Sequence, residues 1–394
     1  MKKQQLIITT VLTTIASLFA LPNFAYGHQI IESTGSVEIK KSNWSDYRVM
    51  GVGTTLHSGD MLQPIDGANI YVLCDDFSIW NVPSNGISDI ASGCDDLDNI
   101  TPTTLQYHRG ENDISLPYIM MPRHTLLMDN EFTISWNRVE DATSYLVTIQ
   151  GEDGLNWTQE VNDTQIIYNG EQKFETNFYY IVTVESDNGF SSLDTQRPQF
   201  GFGVISENQA ETLQDIIDNI NTSNLSSDSK AIALGILYNQ GYLYYDGISS
   251  LEALVTSGTQ NPLVYQILGD MYVQIGLNIL AQERYHQAIE LADNDKDLEV
   301  LSNTQAGLAG LNIILGNNFQ AGKLAQQAQD GYEFLGYSAT ELEENLISLI
   351  EDNNSSSFTV RSSRRTSDIF QNVIMPQQFR RPKCFPHDIP GITC

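Results

Sequence analysis

The sequence predicts a multidomain protein in which two all-β modules precede an all-α repeat region. Apolar residues alternate with a period of two up to about residue 199, and the period changes to about 3.6 from Glu207 onward. A chain of 394 residues also exceeds the usual size of one domain. We therefore expect five segments: residues 1–27, 28–116, 117–199, 207–350 and 351–394.

Residues 1–27 have the composition of a secretory signal peptide. Lys2 and Lys3 precede an apolar run at 6–21, and small residues at 25–27 suit a signal peptidase. The run is shorter than the roughly 20 residues that span a bilayer, so an uncleaved anchor is the less favoured alternative. We expect an exported protein without a transmembrane span, located in the periplasm or at the cell surface.

The composition is strongly acidic, with a formal net charge of -29. Nucleic acids and anionic membrane surfaces are therefore poor partners for the body of the chain. Basic residues are concentrated in the tail 351–394, which is polar and rich in proline near its end. This tail could dock on the acidic body, but a mobile, solvated tail is the favoured interpretation.

Four cysteines in an exported chain favour disulfide formation. Two local pairs, Cys74 with Cys94 and Cys384 with Cys394, are the simplest of the three connectivities that four cysteines allow. No Cys-x-x-Cys spacing occurs, and the six histidines are scattered. The sequence predicts neither a metal site nor a cofactor.

The first β module contains short strands separated by turn residues. In residues 53–86, Gly59-Asp60 forms a turn, 68–73 a strand, and Asp75-Asp76 a hairpin turn before the next strand. This stretch resembles the FecR-type β domain, which implies a small antiparallel sheet. Sensor members of that family carry an inner-membrane helix, whereas this chain carries a signal peptide, so their signalling role is not expected here.

The second β module is built around one tryptophan. Phe132, Ile134 and Trp136 lie on one face of a predicted strand, followed by Tyr-x-Val-x-Ile from Tyr145 and Tyr-x-Val-x-Val from Tyr180. This pattern resembles a fibronectin type III or related immunoglobulin-like sandwich. The resemblance implies a core position for the tryptophan and a spacer or binding role for the module.

Glycine, leucine and tyrosine recur with a period of 34 residues in the helical region. Leu234-Gly235 with Tyr238 corresponds to Leu268-Gly269 with Tyr272. The pattern resembles the tetratricopeptide repeat, in which small residues allow two helices to approach closely. A third, more divergent copy follows at a shift of 40. Helices from Glu207 and at 340–350 would cap the stack.

Tetratricopeptide repeats bind peptides in a groove formed by the first helix of each repeat, and the resemblance places this groove on seven residues. Those in the best-matching copy lie on one helical stripe, and the amide-rich set favours a neutral or mildly basic protein segment. The seven residues are Gln266, Asp270, Val273, Gln274, Ile236, Asn239 and Gln240. The alternative is that the repeats only pack against the chain's own modules.

No catalytic constellation is evident in the sequence. It contains no Gly-x-Ser-x-Gly elbow, phosphate-binding loop or His-Glu-x-x-His helix. Adjacent acids at 75–76, 95–96 and 343–344 are interpreted as solvated surface, and residues 94–99 lack the glycine and final glutamate of an EF-hand calcium loop. His286 is interpreted as an ordinary surface or packing residue.

We therefore expect a non-enzymatic, exported scaffold of the cell envelope that binds a protein segment in the helical groove. The alternative is a polysaccharide-binding or adhesion protein that acts through the β modules. In that case exposed aromatic side chains would stack on sugar rings, and the candidates are Trp44, Trp80 and Trp157.

Overall fold

The computed structural model describes residues 27–94, 115–194, 201–292 and 296–337. In these ranges the chain forms two all-β modules followed by helices, which confirms the predicted fold class. The predicted cap at 340–350, the tail with Cys384 and Cys394, and most of the acidic stretch 94–99 lie outside the described residues.

The first β module consists of two four-stranded antiparallel sheets. Their orders are β4-β1-β6-β7 and β3-β2-β5-β8, and a short 3-10 helix follows at Ile90–Ser92. The hairpin predicted at Asp75-Asp76 joins β6 to β7, with Leu73 opposite Ile79. The strands are β1 His28–Ser33, β2 Val37–Lys40, β3 Arg48–Met50, β4 Thr55–Leu56, β5 Met61–Pro64, β6 Ile70–Leu73, β7 Ile79–Val82 and β8 Ser88–Asp89.

A disulfide joins Cys74, just after β6, to Cys94 at the end of the described part of this module. The predicted local pairing of these two cysteines is confirmed. Both are buried, and their Cα atoms are 5.5 Å apart.

The second β module is a sandwich of a five-stranded sheet, β10-β16-β15-β12-β13, and a three-stranded sheet, β14-β11-β9. Trp136 is buried and makes an edge contact with Tyr145, as the predicted core position requires. The sandwich extends past residue 199, because β16 pairs with β10 and β15. The strands are β9 Ile119–Met121, β10 Thr125–Leu127, β11 Thr133–Trp136, β12 Tyr145–Gly151, β13 Asn156–Val161, β14 Gln165–Ile167, β15 Tyr180–Ser186 and β16 Gly201–Val204.

Seven helices follow in the described part of the chain. The first begins with a capping box in which Ser206 and Gln209 exchange side-chain and backbone hydrogen bonds. Asn261 and Pro262 give the fourth a capped start with proline in the first turn. The helices are α1 Glu207–Thr222, α2 Ser227–Gln240, α3 Tyr244–Thr256, α4 Pro262–Gln274, α5 Asn278–Leu291, α6 Leu298–Ile314 and α7 Asn318–Leu335.

Three helical hairpins, α2–α3, α4–α5 and α6–α7, stack so that α2, α4 and α6 are neighbours. Gly276 and Gly316 end the inner helices of the second and third hairpins with φ of 73° and 81°, which favours glycine. Gly269 lies so close to α5 that a Cβ would be 2.4 Å from the Tyr285 ring. At the corresponding Gly235 a Cβ would be 2.9 Å from Leu251 in α3, so close approach of the paired helices explains why the pattern repeats glycine.

The first β module and the helices share one hydrophobic core, whereas the sandwich has a separate one. All thirteen residues of α4 are buried. A helix buried on every side needs neighbours on every side, and the first β module supplies the cover on the side opposite α5. None of the helices in the described part of the chain is long and apolar enough to cross a membrane.

Candidate functional site

The helical groove, defined as the face of α2, α4 and α6 turned away from α3, α5 and α7, is covered by the first β module. Across it, a Cβ on Gly53 would be 2.3 Å from Val300 in α6 and 3.6 Å from Leu263 in α4. The Gly51 amide donates to the Lys296 carbonyl at 2.9 Å. The first β module therefore packs directly on the α4 and α6 part of the groove.

The seven groove residues predicted from sequence lie on two adjacent helices. Gln266, Asp270, Val273 and Gln274 in α4 are each at most 6% exposed, whereas the three in α2 are half-buried. The open groove expected from the resemblance is thus closed over α4 in the described residues, because the first β module and the helices share one hydrophobic core. This arrangement is the one expected if the repeats pack against the chain's own modules.

A cavity of about 110 Å³ remains between the β module and the groove. It brings together six of the seven predicted residues; Val273 is fully buried elsewhere in the core. Its polar walls consist mainly of side-chain amides and two carboxyls. The polar lining residues are Gln29, Thr55, Asp75, Asn239, Gln240, Gln266, Asp270, Gln274 and Asn303.

Asp270 is the central charged group of the cavity. Its carboxyl accepts a hydrogen bond of 2.6 Å from the Tyr285 hydroxyl and another from the Gln266 side chain. Burial raises the pKa of Asp270 to about 7, although the two hydrogen bonds oppose the shift. The folded chain therefore holds the proton of this carboxyl to a higher pH than an exposed aspartate would.

Two amide oxygens of the lining lack a hydrogen-bond partner among the described residues: Gln266 Oε1 and Asn239 Oδ1. Because the Gln266 amide nitrogen donates toward Asp270, the oxygen of the same amide is left to face another group. A buried acceptor without a partner costs about 1 to 3 kcal/mol. These two buried oxygens therefore have hydrogen-bonding capacity that the described residues do not use.

A buried ion pair closes the junction at the C-terminal end of the groove. Lys41 Nζ lies 3.3 Å from Glu299 Oε2, with both side chains about 5% exposed. Tyr337 donates to Glu299 Oε1 at 2.9 Å, and the Trp44 indole donates to the Leu335 carbonyl at 2.8 Å. Sequence inspection missed this cluster, since the residues are about 260 positions apart and carry no local signal.

A buried arginine joins the sandwich to the helices. Arg123 is 0% exposed; its Nε donates to the Ile275 carbonyl at 2.5 Å and its Nη1 to the Ile119 carbonyl at 3.0 Å. A second junction lies one hairpin away, where the Leu126 amide donates to the Tyr242 carbonyl at 2.8 Å. The sandwich is therefore fixed to the turns of the first two hairpins.

The tryptophans proposed as sugar-stacking residues are not fully exposed. Trp44 is 7% exposed and belongs to the junction with α7. Trp80 is half-buried against Gly93, where any Cβ would overlap the indole. Trp157 is half-buried on β13, at the edge of the sandwich, with its ring 5.2 Å from that of Tyr168. The sugar-binding prediction for Trp44 therefore needs correction.

Other candidate residues are dispersed. His286 is exposed on α5. His28 lies beside Cys74 and Cys94, with the three potential ligand atoms within 4.8 Å, but the disulfide uses both sulfurs. Neither histidine is among the residues that line the cavity.

Comparison with known proteins adds no argument about function. No protein-family model matches the chain, and no curated protein matches it. Among solved structures, the fibronectin(III)-like modules of CbhA from Clostridium thermocellum are similar at 12% identity, covering 43% of this chain and 77% of that chain, with a TM-score of 0.17. At this TM-score the likeness carries no weight for function. The FecR-type and tetratricopeptide resemblances remain predictions.

Proposed function

We propose that the protein is a non-catalytic, exported scaffold of the cell envelope whose helical groove binds a protein segment. In the described conformation the first β module lies where that segment would bind. Partner binding then requires the β module to move away from α4. In this proposal the described conformation is the closed state of the interaction module, with the first β module over the groove.

The observation that carries this proposal is that the first β module leaves two buried oxygen acceptors of the groove without hydrogen bonds. Gln266 Oε1 and Asn239 Oδ1 are buried without partners among the described residues. An extended segment carries a row of backbone N–H donors, which would satisfy these oxygens. A partner can therefore gain hydrogen bonds that the β module does not make.

The disulfide between Cys74 and Cys94 supports export. Disulfides persist in oxidising compartments and are rare in the cytosol. Together with the signal-peptide pattern of residues 1–27, this favours the periplasm or the cell surface.

A variant that locks the β module onto the helices tests the proposal. A Cβ on Gly51 would lie 3.4 Å from the Lys296 Cβ, close to the Cβ–Cβ distance of a disulfide, so the Gly51→Cys, Lys296→Cys double variant is a candidate for a locking disulfide. Partners are first identified by proximity labelling in the native compartment and then purified for affinity measurement. We expect the locked chain to bind such a partner at least tenfold more weakly than the wild type.

Two amide variants complete the test. Gln266→Ala with Gln274→Ala removes groove amides, whereas Gln326→Ala with Gln329→Ala removes two amides of α7 that donate to carboxylates of the same helix. Binding that is lost in the first pair and kept in the second supports the groove. Equal binding by the locked, groove and control variants would refute it.

Polysaccharide binding through the β modules is the alternative function. Trp80 and Trp157 remain as candidates because both are half-buried, whereas Trp44 is buried against α7. Of the two, Trp157 lies on the edge strand of the sandwich. A glycan array with the full wild-type chain and with Trp157→Ala separates the two functions. Glycan binding that depends on Trp157 and is unaffected by the lock would favour this alternative.

A further inference from the structure

The disulfide of the first β module lies beside a buried histidine. One ring nitrogen of His28 and the sulfurs of Cys74 and Cys94 all lie within 4.8 Å of one another, and all three residues are buried. Among the described residues, this is the one group of three or more histidine, cysteine or acidic side chains whose ligand atoms converge so closely. The arrangement therefore brings two sulfurs and an imidazole to one point.

The backbone places these three side chains independently of the bond between the sulfurs. The antiparallel register of β1 with β6 brings His28 next to Cys74. The Cys74 amide donates to the Ser78 carbonyl at 2.9 Å in the hairpin turn, and the Cys94 amide donates to the Ile90 carbonyl at 3.0 Å at the end of the 3-10 helix. Because none of these contacts uses a sulfur, reduction of the disulfide leaves both thiols beside the imidazole.

A carboxylate lies next to the same group. Asp75 Oδ1 is 3.7 Å from His28 Nδ1, and the Asp75 side chain is 12% exposed. The Asp75 amide donates to the same ring nitrogen at 3.2 Å, which holds the imidazole in place in the disulfide form. Two thiolates, one imidazole and one carboxylate make a four-ligand set of the types that zinc accepts. Calcium and magnesium instead prefer six or more oxygen ligands.

We propose that the dithiol form of the protein binds a zinc ion through Cys74, Cys94 and His28, with Asp75 as the fourth ligand. Zinc–sulfur bonds of about 2.3 Å at tetrahedral angles hold two sulfurs roughly 3.8 Å apart. The sulfurs must therefore separate from their bonded positions. Rotation about the two Cα–Cβ bonds supplies this movement, with the Cα atoms starting 5.5 Å apart.

Zinc binding and disulfide formation exclude each other at this site, because both use the same two sulfurs. Reduction of the disulfide by a dithiol moves two electrons and two protons to the sulfurs, and the reductant becomes a disulfide. Zinc then displaces the two thiol protons as the two Zn–S bonds form. Oxidation by another disulfide breaks both Zn–S bonds, forms the S–S bond and releases zinc, while the oxidant takes up two protons and becomes a dithiol.

A newly exported chain passes through the dithiol form before its disulfide is made. Zinc held at that stage would delay oxidation of the two cysteines, and oxidation would release the ion. The site therefore couples the metal content of the first β module to its redox state. This inference does not depend on partner binding by the groove.

The test uses the full chain with Cys384→Ser and Cys394→Ser, so that Cys74 and Cys94 supply the only thiols. A phosphine reduces the disulfide, is converted with one water to its oxide, and is removed without air. Zinc is then titrated in competition with a chromophoric chelator, and the disulfide form is the reference. We expect one zinc ion per reduced chain, bound at least a hundredfold more tightly than by the disulfide form.

Cobalt(II) reports which atoms bind the metal. In a tetrahedral site with thiolate ligands, cobalt gives intense visible bands and a sulfur-to-cobalt charge-transfer band in the near ultraviolet. We expect both in the reduced chain and neither in the disulfide form. A reduced chain that binds cobalt without the charge-transfer band would contradict ligation by the cysteines.

Variants of the reduced chain test the other two ligands. His28→Ala and Asp75→Asn should each weaken zinc binding at least tenfold. The matched controls are His286→Ala, at an exposed position on α5, and Asp76→Asn, at the exposed acid next to Asp75. Both controls should bind zinc as tightly as the parent chain.

Thermal unfolding keeps the test decisive if reduction loosens the fold. Zinc should raise the melting temperature of the reduced chain but not that of a chain with Cys74→Ser and Cys94→Ser. The proposal is overturned if the reduced and disulfide forms bind zinc equally. It is also overturned if His28→Ala binds zinc as tightly as His286→Ala.

Discussion

The Lys41 ammonium and the Glu299 carboxylate lie 3.3 Å apart, nearly excluded from solvent, at the junction between the first β module and α6. One residue follows β2 and the other begins the third helical hairpin. Their pairing shows that the first β module and the helices, which are far apart in sequence, pack against each other around a shared core.

Breaking this pair should strongly destabilise the protein. Lys41→Met leaves Glu299 charged and buried, which typically costs about 3 to 5 kcal/mol. The double variant Lys41→Met, Glu299→Gln removes both charges and should recover most of the loss. Urea unfolding of the two single variants and the double variant gives the coupling energy. Additive effects would show that the two side chains do not interact.

The repeat glycines should differ in their sensitivity to substitution. Gly269→Ala forces a methyl group against the Tyr285 ring, and overpacking of this kind costs about 1 to 3 kcal/mol. At Gly316 the space is open but φ is 81°, so Gly316→Ala should cost about 1 to 2 kcal/mol through backbone strain alone. Thermal unfolding ranks the two variants. A larger effect at Gly316 would argue against close packing of α4 on α5.

The stability of the fold should depend on Asp270 between about pH 4 and pH 7. Burial raises the pKa of Asp270 to about 7 in the folded chain, while the unfolded chain has the ordinary value near 4. The folded chain therefore holds a proton that the unfolded chain has lost, and stability falls as pH rises through this window, by up to about 1.4 kcal/mol per unit.

Asp270→Asn should remove this part of the pH dependence. The informative quantity is the free energy of unfolding of the wild type minus that of the variant, measured from pH 4.5 to 8 in amine-free buffer. This difference should fall with rising pH and level off above about pH 7. A constant difference would mean that Asp270 titrates at its ordinary pKa when folded.

Loss of Arg123 should loosen the sandwich from the helices. Arg123→Met keeps much of the apolar stem but leaves the Ile275 carbonyl without its charged donor, which should cost about 1.5 to 3 kcal/mol. Hydrogen exchange should increase at the turn between α4 and α5 and near β9. Protection inside the sandwich should persist, because its core is separate. Uniform loss of protection would instead indicate global unfolding.

Removing the disulfide should destabilise the first β module. Cys74 and Cys94 are 20 residues apart, and closing a loop of this size is worth about 3 kcal/mol by its effect on the unfolded chain. Cys74→Ser with Cys94→Ser should therefore lower the free energy of unfolding by about that amount, as urea unfolding measures it. An unchanged value would mean that the bond is not formed in the isolated protein.

Much of the fold could be predicted because it depends on local pattern. The alternation around Trp136 and the Asp75-Asp76 turn predicted strands that the structure contains. The spacing of Gly235 and Gly269 predicted helices in close contact. The positions of Gln266, Asp270 and Gln274 on one helical stripe follow from helix geometry alone.

The sequence by itself thus determined the order of the modules, their secondary structure and which polar residues share a helix face, and it favoured the Cys74–Cys94 pairing as the simplest of three. Only the tertiary structure decided that the first β module covers that face, enclosing Asp270 in a cavity and pairing Lys41 with Glu299. The reason is physical: strand and helix periods are set by neighbouring residues, whereas contacts between modules depend on shape and burial across hundreds of positions.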